Sequence, residues 1–395
     1  MLSIANICLS LLRDEAGDSA LWWASALEAR GYEVVSLVTE GSRLSQAVRD
    51  HGLRQVTVPR RTDLLGFRAP IKIRSFLRRH PIDIVQVHRS EDLRAVYPGL
   101  VGASDTRLFL FLSDLPTTPA GRGALDRLIN RKISGIVAPT RIGKSVFSTV
   151  TGLPDERIAV IPPGFYPAAY EVGPEVRAKA RAALELGNEH VVVGAIGRID
   201  REKGQYELLE AARTVFRSHS SLRLVVAGNP GSAEGENLLE FMRARVREYH
   251  LEDIVKLMPF PESVSPETSP AGGAAAEGAG CEGVLPRSRA ELLSAFDIFV
   301  MPSREESFSR PLAEAMLSGL ACVGTEAGGT PEVLEDGKAG LLAPSGSADG
   351  ISRALTTLFE NPDLRGILGA RARKSARERF DMERTMKQVE DLYSG

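Results

Sequence analysis

The sequence contains few cysteines and no long hydrophobic segment. Its 395 residues include 3 cysteines, Cys8, Cys281 and Cys322, which are too few and too widely spaced to form a disulfide framework or, by themselves, a four-ligand zinc site. The apolar stretches fall well short of the ~20 residues that span a bilayer, so we expect no transmembrane helix. These absences argue against a disulfide-rich or integral membrane protein and favour a cytoplasmic location.

The chain also has little net charge. Lysine and arginine number 49, aspartate and glutamate 51, and 43% of the residues are hydrophobic. This is the composition of a globular protein, and it argues against nucleic acid as a partner of the whole chain. No Lys or Arg precedes the apolar first twelve residues and Arg13 follows them, which indicates a buried first strand rather than a secretory signal. At about 150 residues per domain, the length predicts two to three domains.

Short apolar, β-branched segments alternate with helical patterns along the whole chain. Strands are predicted at residues 32–39, 82–87, 108–112, 135–138, 158–161, 190–196, 222–227, 254–257, 297–301, 321–324 and 340–342. Such alternation predicts an α/β fold with two doubly wound, Rossmann-like domains. Because ligands of parallel sheets bind beyond the carboxyl ends of the strands, we expect the site in an interdomain cleft between two facing domains.

Proline-rich and small-residue-rich segments indicate the boundaries. Pro162, Pro163 and Pro167 interrupt regular structure and predict the end of the first domain. The predicted segments are a first Rossmann-like domain at 1–165, a second at 166–361 and closing helices at 362–395. Residues 261–289 contain 18 Pro, Gly, Ala or Ser and no aromatic residue, which predicts a disordered insertion, with a plain linker favoured over a regulatory segment.

Residues 301–316 are the most informative segment for chemistry. They leave a predicted buried strand, cross a turn and enter a helix that Ser309 can cap and whose first turn suits Pro311. The backbone N–H groups of residues 308–310 would then be unpaired at the positive end of the helix dipole. Such a helix start is a ready anion-binding site.

Charged residues flank this anion site. Glu306 lies in the turn and Glu314 in the helix, so both can face the same ligand with separate tasks. Arg198 and Lys203 follow another predicted strand, and paired cations there suit a diphosphate, with a solvated charged turn as the alternative. The turn at Gly328–Gly329 permits close approach of the backbone, either to a ligand or within a tight structural turn.

Four motifs follow one another in the second half of the chain. They are Gly-Arg-x(4)-Lys-Gly at 197–204, Pro-Ser-x(2)-Glu-Ser-Phe-Ser-x(4)-Glu-Ala-Met at 302–316, Ser-Gly-Leu-Ala-Cys-Val at 318–323 and Gly-Gly-Thr-Pro-Glu at 328–332. In order and spacing they resemble the motifs of the retaining glycosyltransferases of the GT-B fold, family 4. Looser matches at 17–24, 30–34 and 158–164 extend the resemblance over most of the chain.

The resemblance implies metal-independent transfer from a nucleotide sugar, with retention at the anomeric carbon and no cofactor. It implies that Arg198 and Lys203 hold the diphosphate and stabilise its charge, and that Glu306 contacts the hydroxyls of the transferred sugar. Glu314 would hydrogen-bond the ribose. The resemblance also implies that the domain at 166–361 binds the nucleotide sugar and that the domain at 1–165 binds the acceptor. The implied catalytic residues are Arg198, Lys203 and Glu306, and the implied nucleotide-sugar-binding residues are Glu314, Ser307, Phe308, Ser309 and Arg310.

The first half departs from the family pattern in two places and matches it in a third. Gly17–Asp18 stands where the family has a Gly-Gly loop, and a carboxylate beside a phosphate would be repulsive, so we expect this loop to serve the acceptor. Ser113 stands where the family often has a histidine, so that histidine's role does not transfer. His88 matches another family histidine at a strand end, where a substrate contact and a packing role are equally open.

The charge of the first half bears on the acceptor. Residues 41–80 carry ten Lys or Arg against two Asp, a pattern of either a membrane-docking surface or a helix packed on its own sheet. We expect a glycan or lipid-linked acceptor and a function in cell-envelope polysaccharide or lipopolysaccharide synthesis, at the inner face of the cytoplasmic membrane. The alternatives are a transferase with a small soluble acceptor and a non-catalytic GT-B protein that only binds a sugar nucleotide.

Overall fold

The computed structural model describes residues 2–11, 14–60, 68–103, 105–115, 124–260, 286 and 288–394. Within this part of the chain there are two compact units. Unit 1 comprises residues 1–162 and 386–395, and unit 2 comprises residues 163–385. The closing segment 362–395 is therefore shared between the two units.

Unit 1 contains a seven-stranded sheet in which every pair of neighbours is parallel. The strands are β1 (Ser3–Cys8), β2 (Glu33–Thr39), β3 (Gln55–Val58), β4 (Ile84–Val87), β5 (Arg107–Phe111), β6 (Ile133–Ala138) and β7 (Ile158–Val160), in the spatial order β3-β2-β1-β4-β5-β6-β7. The helices are α1 (Glu15–Ala29), α2 (Arg43–Asp50), α3 (Arg68–Arg79), α4 (Leu93–Leu100), α5 (Ala124–Lys132) and α6 (Arg141–Thr151).

Unit 2 contains a six-stranded parallel sheet in the order β10-β9-β8-β11-β12-β13. The strands are β8 (Val191–Ile196), β9 (Leu222–Ala227), β10 (Val255–Met258), β11 (Ile298–Met301), β12 (Ala321–Thr325) and β13 (Leu341–Ala343). The helices are α7 (Pro174–Ala183), α8 (Gln205–Phe216), α9 (Ala233–Glu248), α10 (Arg289–Ser294), α11 (Arg310–Leu317), α12 (Thr330–Val333), α13 (Ala348–Glu360) and α14 (Pro362–Arg379). A last helix, α15 (Met382–Ser394), begins in unit 2 and ends in unit 1.

Strand β8 is apolar along its whole length because both faces of its sheet are covered. In β8, Val192 and Ile196 join one hydrophobic cluster, whereas Val193 and Ala195 join another. Alternate side chains of a strand point to opposite faces, so a strand between two helical layers needs apolar residues at every position. The predicted doubly wound α/β architecture is confirmed in each unit.

The structure differs from the sequence analysis in two local features. The short edge strand β3 was not predicted, because its four residues include the polar Gln55 and Thr57 and are mostly half-buried. The predicted insertion at 261–289 lies outside the described residues except for Pro286, Ser288 and Arg289. Its predicted end is wrong, because Ser288 caps α10, accepting a hydrogen bond from the Glu291 N–H at 3.1 Å.

Each sheet has one position where the strand order reverses. It lies between β1 and β4 in unit 1 and between β8 and β11 in unit 2. The chain segments that leave two such strands diverge, and the crevice beyond their carboxyl ends is where doubly wound sheets bind ligands. The fold therefore selects one edge of each unit as the place to examine for chemistry.

Helix α15 is fixed to unit 1 by its buried end. Tyr393 is fully buried, its ring lies 5.0 Å from that of Phe109, and its hydroxyl donates to Gln86 Oε1 at 2.7 Å. Gln86 lies on the central strand β4, so the last residues of the chain complete the core of unit 1.

No helix in the described ranges has both the length and the hydropathy needed to cross a bilayer.

Tyr393→Phe should lower the free energy of unfolding of unit 1 by about 1–2 kcal/mol, because Gln86 loses a buried hydrogen bond while the ring stays packed. Both tryptophans, Trp22 and Trp23, lie in unit 1, so urea denaturation followed by tryptophan fluorescence reports on this unit. The control is Tyr97→Phe, since the half-buried Tyr97 hydroxyl bonds to no described residue. Equal losses in the two variants would show that the hydrogen bond to Gln86 contributes nothing.

Candidate functional site

The loops that follow β8 and β11 touch at the reversal point of unit 2. The Arg304 N–H donates to the Glu202 carbonyl at 2.6 Å. Gly204 has φ of +66°, and a Cβ at this position would overlap the Pro302 carbonyl oxygen. Glycine is needed at residue 204 because its positive φ disfavours other residues and because any side chain would push the two loops apart.

This contact brings Lys203 and Glu306 together across 103 residues of sequence. Lys203 Nζ lies 3.1 Å from Glu306 Oε2, and the two side chains are only 14% and 5% exposed. Ser303 Oγ donates to the same carboxylate oxygen at 3.1 Å. Lys203 and Glu306, which the sequence predicted as separate ligand contacts, therefore form an ion pair. Both side chains are largely buried, where a charge requires a partner of opposite sign.

A second glycine turn, at Gly328–Gly329, packs against the backbone of Glu306. The Gly329 N–H donates to the Glu306 carbonyl at 2.7 Å, and a Cβ at Gly328, whose φ is +49°, would overlap the same carbonyl oxygen. The close backbone approach predicted for this turn is thus made to the backbone of Glu306. Of the two interpretations of this turn, the structure supports the tight structural turn.

Arg198 lies in the same loop as Lys203. Its Nε is 3.5 Å from Asp200 Oδ2, its side chain is 26% exposed, and its carbonyl accepts from Gln205 Nε2 at 2.7 Å. A Cβ at Gly231 would overlap Arg198 Cδ, so the arginine side chain lies directly on that glycine. The loop after β8 therefore presents one partly exposed and one largely buried cation at the sheet edge.

The start of α11 forms as predicted. Ser309 caps the helix, its Oγ accepting from the Leu312 N–H at 3.3 Å, and Pro311 occupies the first turn. Ser307 is buried, and the Phe308 ring packs edge-on against Phe380 at 5.2 Å. The side chains of these two residues thus belong to the core, which leaves backbone groups as their means of contacting a ligand.

Glu314 has a partner that the sequence analysis missed. It lies in α11 and is 2% exposed, and Arg289 Nη1 approaches its two carboxylate oxygens at 2.9 and 3.0 Å. Arg289 escaped notice because it was counted within the predicted insertion. The signal available in the sequence was Ser288, a capping residue directly before Arg289 and the apolar segment of α10.

The predicted site residues of unit 1 lie near its own reversal point. Gly17 and Asp18 were predicted in a loop, and this is wrong, because both lie in the first turn of α1. The helix starts early because Asp14 caps it, accepting from the Gly17 N–H at 2.8 Å, and because carboxylates such as Asp18 are favourable near the positive helix end.

His88 and Ser113 follow the neighbouring strands β4 and β5. His88 is buried with its Nε2 2.7 Å from Asn6 Oδ1, and burial lowers its pKa to about 3. Its ring lies 5.7 Å from that of Phe111, just before Ser113. Ser113 Oγ is buried without a hydrogen-bond partner among the described residues. Nδ1 of His88 likewise has no partner among the described residues, so packing and substrate contact both stay open for this residue.

Arg89 is a further polar residue at this point that the sequence did not single out. Its Nη1 lies 3.7 Å from Asp14 Oδ2, and Asp92 Oδ2 accepts from the Leu9 N–H at 2.8 Å. Burial acts to lower the pKa of Arg89, but the carboxylates of Asp92, Asp14 and Glu91 outweigh it and raise the pKa. Both reversal points therefore carry cations with carboxylate partners.

Among the described residues, no three His, Cys, Asp or Glu side chains are grouped as a metal ion would require. Burial raises the pKa of the Cys8 and Cys322 thiols, so both are protonated at neutral pH.

Comparison with known families agrees with the four motifs. The family profile described as Glycosyl transferases group 1 matches residues 176–265 and 285–375, and that of Glycosyltransferase Family 4 matches residues 19–168. Together these profiles cover most of both units. The chain belongs to the group 1, family 4 glycosyltransferases.

Individual relatives match over part of their length. A D-inositol 3-phosphate glycosyltransferase of Saccharomonospora viridis is 30% identical over 224 residues, 56% of this chain and 46% of the relative. An N-acetyl-alpha-D-glucosaminyl L-malate synthase of Bacillus anthracis is 38% identical over 104 residues, 26% of this chain and 27% of the relative. The chain thus spans less than half the length of these two relatives.

Solved structures share the fold across the chain. HepE of Anabaena, in complex with UDP and glucose, has a TM-score of 0.80 at 20% identity and covers 100% of both chains. Sucrose-phosphate synthase of Thermosynechococcus elongatus has a TM-score of 0.73 at 17% identity, covering 100% of this chain and 98% of its own. The predicted GT-B fold class, with two Rossmann-like domains, is confirmed.

The burial of His88 predicts that unit 1 loses stability in acid. Its pKa is about 3 in the folded protein against an ordinary value of 6.5, so between these values the unfolded chain binds a proton that the folded protein excludes. The contribution of His88 is complete above pH ~6.5 and decreases by about 1.4 kcal/mol per unit as the pH falls toward 3.

From pH 7 to pH 5, wild type should therefore lose about 2 kcal/mol more than His88→Gln, measured by urea denaturation with tryptophan fluorescence. The comparison uses the change with pH, so an overall destabilisation of the variant does not affect it. The same pH dependence in both proteins would mean that His88 is not buried as a neutral group.

Proposed function

We propose that the protein transfers a sugar from a nucleoside-diphosphate sugar to an acceptor hydroxyl, and that unit 2 binds the nucleotide sugar. The observation that carries this proposal is the Lys203–Glu306 ion pair at the reversal point between β8 and β11, with Arg198 in the same loop. Cations at this edge suit a diphosphate, and a carboxylate held beside them accepts hydrogen bonds from sugar hydroxyls.

The arrangement accounts for the chemistry of transfer. As the bond from the anomeric carbon to the phosphate oxygen breaks, negative charge grows on the leaving diphosphate, and Lys203 and Arg198 would stabilise it. The pairing with Glu306 holds the Lys203 ammonium in place before the ligand arrives, so less ordering is needed at the transition state. Transfer proceeds with retention at the anomeric carbon in this proposal, as the family resemblance implies.

Nucleotide sugars should raise the melting temperature of the wild-type protein. A ligand at 100 times its dissociation constant that binds only the folded state adds about 2.7 kcal/mol. UDP-glucose is the first to test, because HepE, which shares the fold, was solved in complex with it.

In this thermal-shift assay, Lys203→Ala and Arg198→Ala should abolish the shift, because each removes a cation from the proposed diphosphate site. Arg243→Ala, which removes a partly exposed cation from α9, should keep it. The assignment fails if no nucleotide sugar shifts wild type, or if Lys203→Ala responds like Arg243→Ala.

We propose further that the acceptor is a glycan or lipid-linked sugar, used in cell-envelope polysaccharide or lipopolysaccharide synthesis at the inner face of the cytoplasmic membrane. Helix α3 supports this proposal. It contains no acidic residue, and Ile71 is 64% exposed among exposed cations, while Ile73 and Phe76 pack into the core of unit 1. The exposed cations of α3 are Arg68, Lys72, Arg74, Arg78 and Arg79.

A small soluble acceptor is the second candidate, and the relatives favour it. Their names specify D-inositol 3-phosphate and L-malate, both of which are small and anionic. A basic unit 1 would attract an anionic soluble acceptor as well as an anionic membrane. The two candidates differ in whether the protein binds a lipid surface.

Sedimentation with vesicles separates these candidates. If the acceptor is lipid-linked, wild type should sediment with vesicles that contain an anionic phospholipid and stay in solution with neutral ones. Lys72→Gln with Arg79→Gln should then weaken binding at least about tenfold, at about 1 kcal/mol for each cation near the surface. Arg243→Gln with Arg353→Gln is the control in unit 2. Wild type that stays in solution with both vesicles would overturn the membrane proposal and favour the soluble acceptor.

A further inference from the structure

The ion pair between Glu314 and Arg289 takes no part in the stabilisation of the leaving diphosphate proposed above. Both carboxylate oxygens of Glu314 lie within 3.0 Å of the same nitrogen, Arg289 Nη1, and the two side chains are 2% and 18% exposed. The pair thus joins two helices, α10 and α11, that are separate in the sequence.

Both residues project from rigid backbone. Arg289 is the first residue of α10, a helix capped by Ser288, and Glu314 lies in the middle of α11. Fully buried side chains anchor these helices, namely Leu292 and Leu293 in α10 and Leu312, Ala313, Ala315 and Met316 in α11. Side chains on packed helices hold a binding geometry more closely than side chains on loops.

The pair preserves the ability of Glu314 to accept hydrogen bonds. An ionised carboxylate offers about four lone-pair sites, whereas a protonated one gives up part of this capacity and becomes a hydrogen-bond donor. Arg289 approaches both oxygens of Glu314 through a single nitrogen and so fixes where the carboxylate lies. A carboxylate oxygen that accepts one hydrogen bond can accept a second one as well.

We propose that Arg289 is a positioning residue that makes Glu314 selective for the ribose of the nucleotide sugar. The vicinal hydroxyls of a ribose offer two hydrogen-bond donors, and hydrogen bonds to an ionised acceptor are the strong ones. Loss of Arg289 leaves a carboxylate that is no longer held in place, and the 2′-hydroxyl is then recognised poorly. This inference rests on the proposed binding of a nucleotide sugar by unit 2.

The test compares ribonucleotides with their deoxy counterparts. Calorimetric titration of UDP, ADP and GDP, each beside its 2′-deoxy form, gives the ratio of the two dissociation constants. Wild type should prefer at least one ribonucleotide about tenfold or more, as expected for one charge-assisted hydrogen bond. In Arg289→Met the ratio should fall below about threefold, and Arg289→Lys should restore most of it.

A double variant separates positioning from stability. Arg289→Met alone removes the cation beside a buried carboxylate, and its melting temperature should fall, whereas Arg289→Met with Glu314→Gln removes both charges and should recover part of the loss. Selectivity should stay low in both. If Arg289→Met, or the double variant where the single one does not fold, keeps the wild-type ratio, the role of Arg289 is refuted while nucleotide binding stands. If wild type binds none of the six nucleotides, the proposed function itself is refuted.

Discussion

The ion pair between Lys203 and Glu306 is the interaction on which the arrangement of unit 2's site depends. It forms where the strand order reverses, because the loops after β8 and β11 approach closely there. Gly204 permits that approach against Pro302, and Gly328, in the turn after β12, permits close packing against the backbone of Glu306. A larger residue at Gly204 would therefore separate the two loops and, with them, Lys203 from Glu306. A larger residue at Gly328 would displace the backbone of Glu306.

Charges at this edge of unit 2 are balanced before any ligand binds. Two largely buried carboxylates each lie within hydrogen-bond distance of a cation. Glu306 is paired with Lys203, and Glu314 with Arg289. A buried ion pair stabilises a fold only weakly, because desolvation offsets most of the attraction, so stability alone is a poor explanation for two such pairs. Fixed charges in a protected place are instead what binding and transfer of a charged nucleotide sugar require.

The sequence predicted those features that arise within a few neighbouring residues. Apolar β-branched segments predicted β8 and β11, and the order of Ser309 and Pro311 predicted the start of α11. It did not predict features set by distant parts of the chain. The pairing of Lys203 with Glu306 crosses 103 residues, and Arg289 reaches Glu314 from another helix. Composition averaged over a window also assigned Arg289 to an insertion, and the family pattern placed Gly17–Asp18 in a loop although Asp14 caps a helix there.

The central claim is that the edge between β8 and β11 binds the diphosphate of a nucleotide sugar. A crystal structure of the protein with UDP tests it most directly. The account predicts diphosphate oxygens within about 3.2 Å of Lys203 Nζ or the Arg198 guanidinium, with ribose hydroxyls at the Glu314 carboxylate. A nucleotide bound at another edge of the sheet, with Lys203 and Glu306 still paired and away from it, would contradict the account.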